Sequence, residues 1–378
     1  MRAPVVRSTK TVTNETDGFF RQARRRLAAV WGIRQGDATT HGGKRRCFMS
    51  SVWWNGLLVL AVAALVGLHG VSQAADVAQQ TDELKWLKKI AIAAHQLNYS
   101  GTYIYQYGDY IETRKITHIK DESGEHEKIE ALDGSPWEVI RNNEEVLCYK
   151  PDDINSVVVE KRKTERSFPA LLPKQLDGIA EHYQARFAGP DRMAGHVCKV
   201  IVLDPKDQYR YQHKFWIDPA TSLLLKAGIF NEKGEAIGQF AFTQVEIGGP
   251  IDKESLKPKM AGKKMLVSGD PAAAKELQQS DLSWVVKQLP PGFAQMMVVK
   301  RMMPGKGLPV KHLVFSDGLA TVSVFIEPVA TVTKPMRSVI RQGAIHVYTR
   351  TVADHQITVL GEVPAITVMQ IANSVSKN

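Results

Sequence analysis

Residues 99–110 read YSGTYIYQYGDY. Five of the chain's ten tyrosines fall in these twelve positions, and Tyr103, Tyr105 and Tyr107 alternate with other residues. Successive side chains of a strand point to opposite faces, so this spacing puts three rings on one face of one strand. Two readings of that row stay open. It is the core side of a sheet packed on helices, or it is the apolar wall of a concave sheet. In the second case tyrosine offers an acyl chain an apolar body and a polar tip. Phe215–Trp216–Ile217 lies in a later strand and extends the choice. The candidate apolar-ligand residues are therefore Tyr103, Tyr105, Tyr107 and Trp216.

Around this strand the pattern predicts an α+β chain. Before it, residues 76–98 space Leu84, Leu87, Ala91, Ala94 and Leu97 at helical intervals, with Thr81 or Asp82 to cap the start. After it, alternating segments to Val159 are separated by DESGE (121–125), LDGSP (132–136), NNEE (142–145) and KPDD (150–153), as in an antiparallel meander. Pro169 and Pro173 bar a continuous strand, and Leu172, Leu176, Ile179 and Tyr183 return to a helical period. Strands resume at GHVCKVIVLDP, YRYQHKFWIDP, SLLLKAGIFNEKG and IGQFAFTQVEIG, the last two joined by a hairpin turn. Residues 249–279 are rich in Gly, Pro and Lys and read as a linker between a first domain, 76–248, and a second, 280–376. The second closes with a helix, PAITVMQIANSV, opened by Pro364.

The formal charge of +10 would suit a nucleic-acid binder until it is located. Residues 1–74 carry +8 of it, so the folded part is nearly neutral and no nucleic-acid partner is expected. That leader has a basic head at Lys44–Arg46, an apolar run at Leu57–Leu68, and Ser72 and Ala74 placed for a cut before Ala75. This is the layout of a secretory signal peptide, and the run is short for a span of about 20 apolar residues. An uncleaved anchor is the alternative. Residues 1–43 are long for such a leader and read as an extension or a misplaced start. Export would leave Cys148 and Cys198, a candidate disulfide if adjacent strands bring them together, and otherwise two buried thiols.

Chemistry-bearing motifs are missing. There is no G-x-S-x-G, H-E-x-x-H, Walker loop or paired C-x-x-C. His182, His196, His213, His312 and His355 lack metal spacing, so no metal or cofactor is expected. Met296, Met297, Met302 and Met303 form a cluster suited to packing or to an adaptable surface.

Three stretches, YSGTYIYQYGDYIETRKITHIKD, EVLCYKPD and the run from RMAGHVCKVIVLDP to IGQFAFTQVE, resemble the N-terminal domain of the MucB/RseB family. WVVKQLPPGF, VFSDGLATVSVFIE and TVADHQITVLGEVP resemble its C-terminal domain. The resemblance implies a periplasmic negative regulator of the sigma-E envelope-stress pathway, not an enzyme. Its first domain would be an open antiparallel β-barrel similar to LolA-type lipoprotein carriers, and its second a smaller α+β module. It also implies a partner, the periplasmic part of a membrane anti-sigma factor shielded from a stress protease, and release by lipopolysaccharide or other lipid. A lipid or lipoprotein carrier is the alternative, and self-association is a further open possibility. Interface anchors are commonly aromatic, so Trp284, Phe293, Met296 and the loop at Asp317–Gly318 are the candidate partner contacts.

Overall fold

The computed structural model describes residues 69–151, 157–162, 167–173, 176, 178–260, 264–266, 283–301, 308–329 and 337–377. The leader up to residue 68, Met302 and Met303 lie outside these. Helix α1 (His69–Gln96) begins ahead of the expected start and runs across the expected cut. Its packed residues Leu87, Ile90, Ala91 and Ala94 all lie beyond that cut and recur at helical spacing.

The first domain is one sheet of twelve strands. It comprises β1 (Tyr99–Tyr107), β2 (Tyr110–Asp121), β3 (Gly124–Ala131), β4 (Glu138–Asn142), β5 (Glu145–Pro151), β6 (Val157–Arg162), β7 (Tyr183–Met193), β8 (His196–Pro205), β9 (Gln212–Ile217), β10 (Leu224–Phe230), β11 (Ala236–Ile247) and β12 (Lys264–Leu266). The order is β12-β6-β5-β4-β3-β2-β1-β11-β10-β9-β8-β7, so the end strands β12 and β7 do not pair and the sheet is open. β1 sits at its middle, between β2 and β11. The α1 residues share one core with Tyr99, Tyr103, Ile116, Ile201 and Phe215, so the helix packs on the concave face.

Three expectations need correction. Among the described residues the helical period at 172–183 yields only α2 (Ile179–His182), entered through Gly178 in the left-handed region, and Tyr183 already opens β7. Pro169 and Pro173 leave too short a run for a longer helix. Cys148 and Cys198 carry no disulfide: they lie in β5 and β8, on opposite sides of β1 in the strand order. The start of the linker is not free of the first domain. A 3-10 turn, Lys253–Leu256, lies against the convex side of β3. There Lys253 pairs with Asp121 (2.7 Å), Lys128 donates to the Lys257 carbonyl (2.8 Å) and the Lys259 amide donates to Glu138 (2.9 Å). Lys253 and Lys259, read as linker composition, are ion-pair partners for Asp121 and Glu130 on β2 and β3.

The second domain is a six-stranded sheet with a helix on one face. Its strands are β14 (Ala294–Arg301), β15 (Val310–Ser316), β16 (Thr321–Pro328), β17 (Arg337–Gln342), β18 (Ile345–Val352) and β19 (His355–Gly361), in the order β14-β15-β16-β19-β18-β17. Helix α3 (Ala365–Ser374) turns Val368, Ile371 and Ala372 onto Leu313, Val324, Tyr348 and Val359. A short pair, β13 (Trp284–Val286) with β20 (Val375–Lys377), borders that core.

Candidate functional site

The tyrosine row is one face, as the alternation requires, yet its three rings serve two places. Tyr103 packs on Phe168 (5.0 Å between ring centroids), Phe242 (5.9 Å) and Phe240 (6.4 Å) inside the first domain. Tyr105 bridges Phe240 (4.7 Å) and Tyr107 (6.1 Å). Tyr107 then joins Tyr211, Ile237 and Ala344, and Ala344 belongs to the second domain. The row is a continuous aromatic seam from the concave face to the domain junction. All three rings are buried, and burial pushes the Tyr103 hydroxyl up to about 12.

β2 sets a charged pair against the seam. In register Arg114 lies opposite Tyr103 and Glu112 opposite Tyr105. Arg114 Nη2 donates to Glu112 Oε2 (2.7 Å), and Trp137 Nε1 donates to Glu112 Oε1 (2.8 Å). The guanidinium rests over the rings of Tyr105 (5.0 Å) and Trp137 (4.9 Å). A buried ion pair needs such satisfaction, because each unpaired charge costs several kcal/mol. The arrangement sets a charged pair with satisfied partners directly against the aromatic seam.

Trp216 departs from the expected set. Across the sheet Tyr105 faces Phe240, Phe240 faces Ala227, Ala227 faces Phe215 and Phe215 faces Ile201. Phe215 therefore shares the tyrosine face and its neighbour Trp216 points the other way. On the convex side Trp216 donates through Nε1 to Asp191 (2.6 Å) and lies under Lys226 (4.5 Å).

Among the expected partner contacts, Phe293, Asp317 and Gly318 turn inward to the first domain. Arg210, in the loop between β8 and β9, donates through Nε to Asp317 Oδ2 (2.8 Å) and also bonds Asp207 and the Pro291 carbonyl. Tyr183 donates its hydroxyl to the same Asp317 oxygen (3.1 Å). Asp317 Oδ1 accepts the amides of Leu319 (3.0 Å) and Ala320 (2.8 Å), so the carboxylate is fully used. Phe293 stacks under the Arg210 guanidinium (5.1 Å), and Gly318 sits in the left-handed region with its α-carbon facing Ile179. Thr367 adds a bond to the Tyr209 carbonyl (2.8 Å), and a side chain at Gly343 would run into the Gly108 backbone (2.9 Å). Trp284 is buried in the second-domain core beside His355 (4.9 Å). Met296 alone of the set is exposed (67%), at a bulge of β14.

The same junction holds Glu362, whose carboxylate burial pushes up to about 7 and whose charge is felt by Tyr105 and Tyr107. Glu362, Arg210 and the Arg114–Glu112 pair carry no motif in the sequence, and Tyr183 enters there only through its helical spacing. The available signal was charge inside strand-like text, as in YIETRK and YRYQHKFW. A serine–histidine contact at the β2–β3 turn has a different meaning. Ser123 Oγ lies 2.8 Å from His126 Nε2 but donates to Asp121 (2.5 Å), so its proton is not offered to the imidazole and the serine is unactivated.

Two family models match this chain in succession: the MucB/RseB N-terminal domain over residues 82–260 and the MucB/RseB C-terminal domain over 278–376. The chain belongs to the MucB/RseB family. Among curated relatives, the sigma factor AlgU regulatory protein MucB of Pseudomonas aeruginosa is 31% identical over 321 residues, 84% of this chain and 98% of the relative. The sigma-E factor regulatory protein RseB of Haemophilus influenzae is 25% identical over 79% of this chain and 92% of its own length. A solved Pseudomonas aeruginosa MucA/MucB complex matches with TM-score 0.64 and 28% identity, over 79% of this chain and 99% of that one. A second structure, MucB in complex with MucA(peri), matches at TM-score 0.63. The two curated relatives named here are, by those names, regulatory proteins of a sigma factor.

Proposed function

We propose that this chain is an exported regulator that binds the periplasmic part of a membrane anti-sigma factor and shields it from a stress protease. Lipid or lipopolysaccharide acting on the aromatic inner face releases the partner. The carrying observation is the continuity of the seam. Tyr103 lines the first-domain interior, Tyr107 touches Ala344 of the second domain, and Tyr105 links them. An acyl chain wedged beside Tyr103 displaces rings that also hold the domain junction, and packed interiors transmit such displacement. The resemblance to MucA-bound MucB supports the partner class. Among the described residues no helix is long and apolar enough to cross a membrane.

The test uses the chain from Ala75 to Asn378 with the periplasmic segment of the anti-sigma factor of its own organism. Protease cleavage of that segment is measured with and without lipopolysaccharide. Protection that lipopolysaccharide relieves supports the reading. Absence of both binding and protection overturns it, and stoichiometric transfer of co-purified lipid to an acceptor would put the carrier reading first.

A further inference from the structure

The second-domain sheet ends at β17, which reads RSVIRQ with Arg337, Val339 and Arg341 exposed. Val339 lies opposite Tyr348 and Arg337 opposite Arg350, so these side chains stand on the face that carries α3. One flank of α3 is turned toward them: Arg350 Nη1 donates to Asn373 Oδ1 (3.2 Å), and Met369 lies one turn before Asn373. Three apolar side chains are left in water beside this edge, Val339 at 47% exposure, Ile366 at 40% and Met369 at 37%. Three guanidinium groups border them, Arg337, Arg341 and Arg350, and among the described residues none of these forms an ion pair. Arg341 donates to the nearby Gly343 carbonyl (3.1 Å). Among the described residues no strand pairs with the outer side of β17.

Charge on an edge strand by itself is protection against stray pairing. Exposed valine, isoleucine and methionine next to that edge work against protection, since each adds apolar area to whatever strand arrives. Uncompensated positive charge selects the arriving strand by sign. We infer that this strip docks an extended segment of the protein partner, rich in Asp and Glu and with apolar residues at alternate positions, which adds a strand beside β17. Ladder hydrogen bonds supply affinity, the apolar residues fit between β17 and α3, and the acidic ones meet the arginines. The inference rests on the reading that the chain binds a periplasmic protein, and it names the surface used.

The experiment titrates the chain from Ala75 to Asn378 against two labelled probes. One is the anti-sigma periplasmic segment, and the other a short synthetic peptide alternating Glu with Val. The variants are Arg337→Glu with Arg341→Glu, the paired Lys substitutions, and Ile366→Asp, each checked for an unchanged melting curve. The charge-reversed pair should weaken both probes about tenfold or more, and the Lys pair should retain binding. Backbone N-methylation of the synthetic peptide along one edge should abolish its binding. If the anti-sigma segment binds wild type and charge-reversed protein within about twofold of each other, the strip is not the site while the regulator reading stands. If wild type binds only the synthetic peptide, and does so through the arginines, the strip stands as an acidic-strand site and the regulator reading falls. N-methylated peptide that binds as tightly as the parent overturns strand addition.

Discussion

Two buried arginine–carboxylate pairs, Arg114–Glu112 and Arg210–Asp317, use the same materials in different places. Each guanidinium is clad by two aromatic rings, Tyr105 and Trp137 in one case and Tyr183 and Phe293 in the other. The first pair comes from one strand, two residues apart, so it survives any rearrangement that leaves β2 intact. The second spans the two domains, so it forms, and Asp317 is desolvated against Arg210, only while they stay docked. Identical chemistry is a structural fixture in one setting and a clasp in the other.

The largest expected effect comes from opening the clasp. Asp317→Asn keeps an acceptor for the turn amides and removes the charge that faces Arg210. Domain docking should weaken by about 3 kcal/mol. Solution scattering should show wider domain spacing, and one unfolding transition should become two. Glu112→Gln should instead cost about 2 kcal/mol of first-domain stability with domain spacing unchanged. If both variants open the domains equally, the contrast between fixture and clasp is wrong.

A smaller effect sharpens the comparison by pH. The folded Glu362 carboxyl titrates near 7 because burial disfavours its charge, against 4.5 unfolded. Between those values the native state holds more protons than the unfolded one, so stability falls as pH rises from 4.5 through about 7. Glu362→Gln removes that slope and should gain about 1–2 kcal/mol at pH 8, with little change at pH 4, read from denaturant midpoints. The smallest effect is Lys253→Ala. Its ion pair with Asp121 is solvent-exposed and screened by salt, so the melting curve should not move.

Much of the fold was legible because periodicity is local. The spacing of Tyr103, Tyr105 and Tyr107 gave a shared face, and Leu87, Ala91 and Ala94 gave the buried stripe of α1. What was not legible depends on pairing across the sheet. Trp216 looked like an extension of the tyrosine wall, but facing is set by a register chain through β11, β10 and β9 that no window of sequence contains. Cys148 and Cys198 each sit in strand-like text, and only the strand order places them far apart. The SDG triplet marks Asp317–Gly318 as a loop. Its counter-ion, Arg210, lies more than a hundred positions away, so no window of sequence ties the loop to the first domain.

The anchoring of residues 253–260 to the convex face, together with β12 on β6, shortens the tether between the domains. Only residues 267–282 separate the last paired strand of the first domain from the first described residue of the second. At full extension that length reaches at most roughly 50–60 Å. An undocked second domain therefore stays near its clasp at an effective concentration on the order of millimolar. Reclosure is a local encounter that does not depend on how much protein is present. A ligand that holds the domains apart must work against that concentration for as long as it is bound, and once it leaves the molecule resets itself.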